Sequence, residues 1–106
     1  MFQLLLTQKK REPGQKVIVE VYCTAACPYC RLVRDYFKDK GIDYSEFRVD
    51  SNQSIRLEME FRSKRATVPQ IFINDFHVGG YDDFVVMDKN RQLEILLYNT
   101  NQLSVS

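Results

Sequence analysis

Two cysteines separated by two residues, Cys27-Pro28-Tyr29-Cys30, are the residues of this chain best suited to covalent chemistry. A Cys-x-x-Cys spacing serves exchange between a dithiol and a disulfide, or supplies half of a metal site. A structural zinc needs four ligands, and the only further candidates are Cys23 and the sole histidine, His77. Redox chemistry is therefore the leading reading, and no metal is expected. Two inert thiols that merely pack would be the bland alternative, but position argues against it. Proline is tolerated at the first helical residue, where its missing N–H costs nothing, so Pro28 marks a helix start. That puts Cys27 at the N-cap, where unpaired N–H groups and the helix dipole favour a thiolate. Thiols so placed titrate at ~3.5–7.5, against about 8.5 for a free cysteine. Cys30 sits one turn further in, facing the core. The pair reads as a nucleophile, Cys27, and a resolving thiol, Cys30, in a cycle of thiol–disulfide exchange.

The elements that must position this pair are legible on either side of it. Val17–Tyr22 is β-branched and almost wholly apolar, as suits a strand buried on both faces of a sheet. Cys30, Val33, Tyr36 and Phe37 mark one face of a helix running to about Lys40 and closed by Gly41. A second strand is expected over Ile42–Val49. Asp50-Ser51-Asn52 offers caps for a second helix ending near Ser63, with Ile55 and Met59 inward. Val68–Ile73 reads as a third strand, and Asn74-Asp75 turns the chain into a short fourth around Phe76–Val78. Gly79-Gly80 breaks it. Asp82 and Asp83 suit the start of a helix reaching about Asp88, and a last helix spans roughly Arg91–Tyr98, burying Leu93, Leu96 and Leu97. The class is α/β, in the order β-α-β-α-β-β-α plus a C-terminal helix. A right-handed β-α-β crossover implies parallel strands, and the terse third link an antiparallel hairpin. A four-stranded mixed sheet with helices on both faces follows.

With 106 residues there is room for one domain, expected at 17–98 between an N-terminal extension (1–16, with a helical turn near Phe2–Leu6) and a tail (99–106). Fifteen basic and 14 acidic residues leave a net charge of +1, which offers no electrostatic case for nucleic acid or membrane surfaces. No apolar run approaches the ~20 residues of a membrane helix. Leu4-Leu5-Leu6 precedes Lys9-Lys10-Arg11, the reverse of a secretory signal, so cleavage is not expected. Three clustered cysteines are too few for a stapled secreted fold. The expectation is a cytoplasmic monomer.

The chain resembles the glutaredoxin family, of the dithiol type with a Cys-Pro-Tyr-Cys site. The likeness spans about residues 17–97 in three blocks: residues 19–30 ending in Cys-Pro-Tyr-Cys, Thr67-Val68-Pro69-Gln70-Ile71-Phe72-Ile73, and Gly79-Gly80-Tyr81-Asp82-Asp83. The first block alone would admit any thioredoxin-like protein; the other two resemble the family's glutathione cradle. The resemblance implies a thioredoxin-like fold, a cis peptide before Pro69 and a redox-active Cys27–Cys30 disulfide. It implies glutathione as co-substrate, with NADPH and glutathione reductase upstream. Partners would be glutathionylated or disulfide-containing proteins, a ribonucleotide reductase among them. Glutathione would pair with the Val68 main chain as an added strand, beside Thr67 and Pro69. Its α-carboxylate would meet the Tyr81 and Asp82 amides after Gly80, as helix N-termini suit anions. Its α-amino group would meet Asp82, with Asp83 adjacent, and Tyr29 would form one wall. Taken singly, Asp82-Asp83 could be ordinary capping, Gly79-Gly80 a turn, and Val68-Pro69 a trans proline opening an edge strand.

Two departures stand out. The family's basic residue three positions before the nucleophile is here Thr24, which weakens the support for a thiolate and for the glycine carboxylate of glutathione. Arg56 and Arg65 are candidates to replace the carboxylate contact, with solvated helix-end charges as the default reading of either, and Ala66 stands where a basic residue often precedes Thr-Val-Pro. Cys23 has two readings, a buried packing thiol or a site of glutathionylation or intermolecular disulfides. Other classes remain: a [2Fe–2S] cluster held by two Cys27 thiolates and two glutathiones across a dimer, which Pro28 disfavours, and a thioredoxin-type reductant, which Gly-Gly-Tyr-Asp-Asp disfavours.

Overall fold

Four strands form one mixed sheet in the computed structural model, which describes residues 17–98. The helical turn expected near Phe2–Leu6 and both terminal segments lie outside the described residues. Strand β1 (Val19–Cys23) pairs in parallel with β2 (Ser45–Arg48) and antiparallel with β3 (Gln70–Ile73), which pairs antiparallel with β4 (Phe76–Gly79). The order β2-β1-β3-β4 makes β1 and β3 the inner strands. That explains their composition: every residue of β3, and all of β1 but Glu20, is buried. The hairpin rests on Asn74 and Asp75, both at positive φ, a conformation that asparagine and aspartate adopt more readily than most residues.

Side chains alternate across the sheet, and the helices cover both faces. On one face Val19, Val21, Cys23, Ile71 and Ile73 pack with Val33 and Phe37 of α1 (Pro28–Asp39), Phe84 of α3 (Tyr81–Lys89), and Leu93 and Leu97 of α4 (Gln92–Tyr98). On the other, Tyr22, Val49 and Phe72 pack with Met59 of α2 (Gln53–Ser63), with Ile55 partly buried against them. Leu96, expected to share the buried face of α4, is only partly buried beside Leu93 and Leu97.

Strand boundaries differ from expectation where hydrogen bonds are committed elsewhere. The second strand begins at Ser45, not Ile42, because the Ile42 N–H donates to Phe37 O (2.9 Å) and helps close α1. Gly41, at φ +68°, makes that reversal. The third begins at Gln70, since Pro69 has no N–H to give to a ladder and the Val68–Pro69 peptide is cis. Among the three capping candidates it is Asn52 that caps α2, its Oδ1 accepting from the Ile55 N–H at 3.2 Å.

Candidate active site

Cys27 occupies the N-cap of α1 with an extended backbone (φ −77°, ψ 121°), and Pro28 is the first helical residue. The Cys27 Sγ accepts from the Cys30 N–H at 3.4 Å, one of the donors a helix start leaves without a carbonyl. Cys27 is partly exposed, and Cys30 is wholly buried. The loop ahead of Cys27 is held by Asp50, whose Oδ2 accepts from the Ala25 N–H at 3.1 Å. Arg48 grips both oxygens of Asp50 at 2.8 Å and holds that carboxyl well below the usual carboxylate range. Asp50 thus anchors the approach to Cys27, a role that capping chemistry in the sequence did not suggest.

Behind Cys30 lies a polar cluster in an otherwise apolar core. Its thiol shares a buried cluster with that of Cys23, and this neighbour, with the Thr24 N–H and the nearby Arg34 charge, pulls Cys30 toward the thiolate. The Cys30 thiol, burial and the Glu46 carboxylate push Cys23 up, so in the reduced pair Cys23 keeps its proton. Cys23 Sγ lies 3.3 Å from Glu46 Oε2, and Arg34 Nη1 is 3.7 Å from that oxygen.

A groove of about 310 Å³ opens beside the first turn of α1. Tyr29, Thr67, Val68, Pro69, Gly80, Tyr81, Asp82 and Asp83 all line it, together with Arg65. The structure therefore brings together all eight residues expected to meet glutathione, from three separate stretches of chain. Tyr29 and Tyr81 form one wall, their rings 5.1 Å apart. Cys27 itself does not line this groove. It borders a neighbouring depression with Ala25, Ala26, Pro28, Arg31 and Leu32, so the thiol stands between two openings.

Charge in the groove is arranged around α3. Asp83 Oδ2 accepts from the Gly80 N–H at 3.0 Å and pairs with Arg65 Nη1 at 2.8 Å. Both contacts, the arginine foremost, hold its carboxyl below the ordinary carboxylate range. Asp83 is thereby occupied as a cap, whereas Asp82 is exposed. Backbone N–H groups of Tyr81 and Asp82 belong to the first helical turn and have no helical carbonyl to meet. Of the two arginines weighed as substitutes for the cation missing at Thr24, Arg65 lines the groove. Arg56 lies against Glu60 and the Ala66 carbonyl (both 3.5 Å). His77 hydrogen-bonds to Gln70 Oε1 at 2.7 Å and stacks on Phe72. Among the described residues no three His, Cys, Asp or Glu side chains gather to hold a metal ion.

A thioredoxin-like sheet with a dithiol at the leading turn of its first helix defines a thiol–disulfide oxidoreductase. Comparison with known proteins narrows the class. The glutaredoxin family model matches residues 19–78. Glutaredoxin 3 of Escherichia coli is 43% identical over 79 residues, covering 74% of this chain and 95% of that protein. The solution structure of a glutaredoxin from Brucella melitensis superposes with a TM-score of 0.69 at 38% identity, covering 81% of this chain and 94% of the other. A wheat glutaredoxin crystal structure gives a TM-score of 0.70 at 30% identity, covering 76% and 79%. The chain belongs to the glutaredoxin family.

Proposed function

We propose that the protein reduces glutathione mixed disulfides and protein disulfides, with Cys27 as nucleophile and Cys30 as resolving thiol. The observation that carries this reading is the groove itself: one concavity lined by the Thr-Val-Pro backbone, the start of α3 and Tyr29, next to a partly exposed thiol at a helix N-cap. A tripeptide lying there would pair with the Val68 main chain. Its α-carboxylate would take the free Tyr81 and Asp82 amides, and its amino group the exposed Asp82 carboxylate. Arg65, which lines the same groove, would supply the cation for the glycine carboxylate, the task a cation at position 24 would otherwise share.

In the first half-reaction the Cys27 thiolate attacks the glutathionyl sulfur of a mixed disulfide. The protein thiol leaves with the electron pair, over the depression lined by Ala25 and Leu32. A second glutathione then attacks that sulfur, releasing glutathione disulfide and restoring Cys27. With a protein disulfide, Cys27 first forms a mixed disulfide to the substrate, and Cys30 displaces the substrate thiol to close Cys27–Cys30. The pull of its surroundings toward the thiolate suits Cys30 to that second attack at neutral pH.

Turnover of a glutathione mixed disulfide, followed beside reduction of a protein disulfide, tests the assignment. Cys27→Ser should abolish both activities. Cys30→Ser should keep the first and lose the second. Activity surviving in Cys27→Ser would refute the assignment of the nucleophile.

A further inference from the structure

Cys23 has no part in the cycle above, yet it occupies the same buried cluster as Cys30. Four side chains from three elements meet at its edge: Cys23 of β1, Cys30 and Arg34 of α1, and the solvent-exposed Glu46 of β2. Glu46 faces them because it pairs with Val21 in the parallel ladder, and Val21 and Cys23 share one face. Cys23 Sγ is 3.3 Å from Glu46 Oε2, and Arg34 Nη1, buried and without a hydrogen bond of its own, lies 3.7 Å from the same oxygen. A thiol, a base within reach and a third group orienting the base are the parts of an activated nucleophile. A cysteine that only packs is satisfied by hydrocarbon neighbours; this one donates to a carboxylate and shares its buried cluster with the Cys30 thiol.

We propose that Cys23 is a third redox thiol, which attacks Cys30 once Cys30 is joined to Cys27 and so moves the disulfide inward. The Cys23–Cys30 bond forms as the Cys27–Cys30 bond breaks, and Cys27 Sγ departs with the electron pair as a thiolate. The Cys23 proton passes to Glu46 Oε2. No net oxidation occurs, because the two electrons were already lost when the outer disulfide closed. In the reduced protein the Cys23 S–H already donates to Glu46, so the base is in place before Cys30 is oxidised. The consequence is an oxidised molecule that still presents a reactive thiol beside the groove. The inference rests on the dithiol reading of Cys27 and Cys30.

Native-state alkylation of the oxidised full chain tests it. Wild type and Cys23→Ser are oxidised with glutathione disulfide, freed of the oxidant, treated with iodoacetamide while folded, and mapped by mass spectrometry. In wild type the expected product carries one intramolecular disulfide, Cys23–Cys30, and one alkyl group on Cys27. In Cys23→Ser, and in Cys23→Ala as a second packing variant, the disulfide stays at Cys27–Cys30 and alkylation of the oxidised protein is lost. Glu46→Gln should slow the wild-type labelling. An oxidised wild type that holds its disulfide but takes no alkyl group on Cys27 overturns the relay and leaves the dithiol reading intact. Absence of any intramolecular disulfide in wild type overturns both.

Discussion

Arg65 is the residue on which the groove's electrostatics turn. Its contact holds the Asp83 carboxyl below the usual range, ahead of the Gly80 N–H. A folded-state value beneath the unfolded aspartate's ~3.9 means that the pairing favours the fold above that pH and is lost as pH falls through the lower, folded value. Both side chains are nearly half exposed, at 46% and 44%, so solvent screens the pair and its share of stability is small. An NMR titration should place the Asp83 midpoint below that of an unpaired aspartate, and Arg65→Ala should move it upward. The same substitution should raise the KM for a glutathione mixed disulfide by about tenfold, the loss of one charge-assisted hydrogen bond, with kcat little changed. A drop in kcat with KM unaltered would place Arg65 elsewhere in the mechanism. The buried thiols give a second expectation at this scale. Cys23 is the foremost cause that pulls Cys30 toward the thiolate. In a Cys27→Ser background, Cys23→Ala should therefore raise the pH at which thiolate ultraviolet absorbance appears.

Between β4 and α3 the chain turns on Gly79, and the turn decides where the α3 N-terminus points. Gly79 sits at φ +116°, and a Cβ there would run into the Asp83 carboxylate. Gly79→Ala thus meets both a left-handed backbone and the side chain that caps Gly80. A cost of about 1–3 kcal/mol is expected from the backbone conformation alone, read as a lower urea midpoint, together with weaker glutathione binding as the cap is displaced. Full stability and affinity in that variant would show that the turn tolerates a side chain. The cap of α2 offers a contrast, since Asn52 serves the Ile55 N–H and lines neither opening beside the thiols. Asn52→Ala removes the acceptor for the Ile55 N–H and should cost about 1 kcal/mol, without touching turnover.

Across the described residues the molecule is one sheet with a core on each face, and the Cys27–Cys30 pair rides on the larger of the two. Phe37 is fully buried there, edge-on to Phe84 and Tyr36. Its replacement by alanine should cost about 3–5 kcal/mol, a large part of the ~5–15 kcal/mol that holds a domain of this size. Ligand linkage acts at the same scale. If glutathione fills the groove only in the folded state, saturation at about 100 times its Kd adds ~2.7 kcal/mol. The thermal midpoint should therefore climb with glutathione concentration, and climb less in Arg65→Ala. A midpoint independent of glutathione would count against the groove as its site.

Local chemistry was enough to read much of this from the chain alone. Pro28 behind an apolar strand places Cys27 at a helix cap because helix starts are set by nearby hydrogen bonds. The spacing of Cys30, Val33 and Phe37 marks a buried stripe because helical periodicity is a local property. The two cradle blocks were likewise visible as motifs, and one groove gathers Thr67–Pro69 of the first and Gly80–Asp83 of the second. Tertiary structure decided what depends on which strands and helices meet. Asp50, legible as a helix cap, is drawn back to the loop before Cys27 by Arg48 and the Ala25 amide. Asp83 is taken by Arg65, eighteen residues away in the chain, which leaves Asp82 as the exposed carboxylate of the groove. Cys23 meets Glu46 only because the parallel register sets β2 against β1 on the face that α1 covers. No spacing along the chain encodes that contact, since register is chosen by packing across the whole sheet.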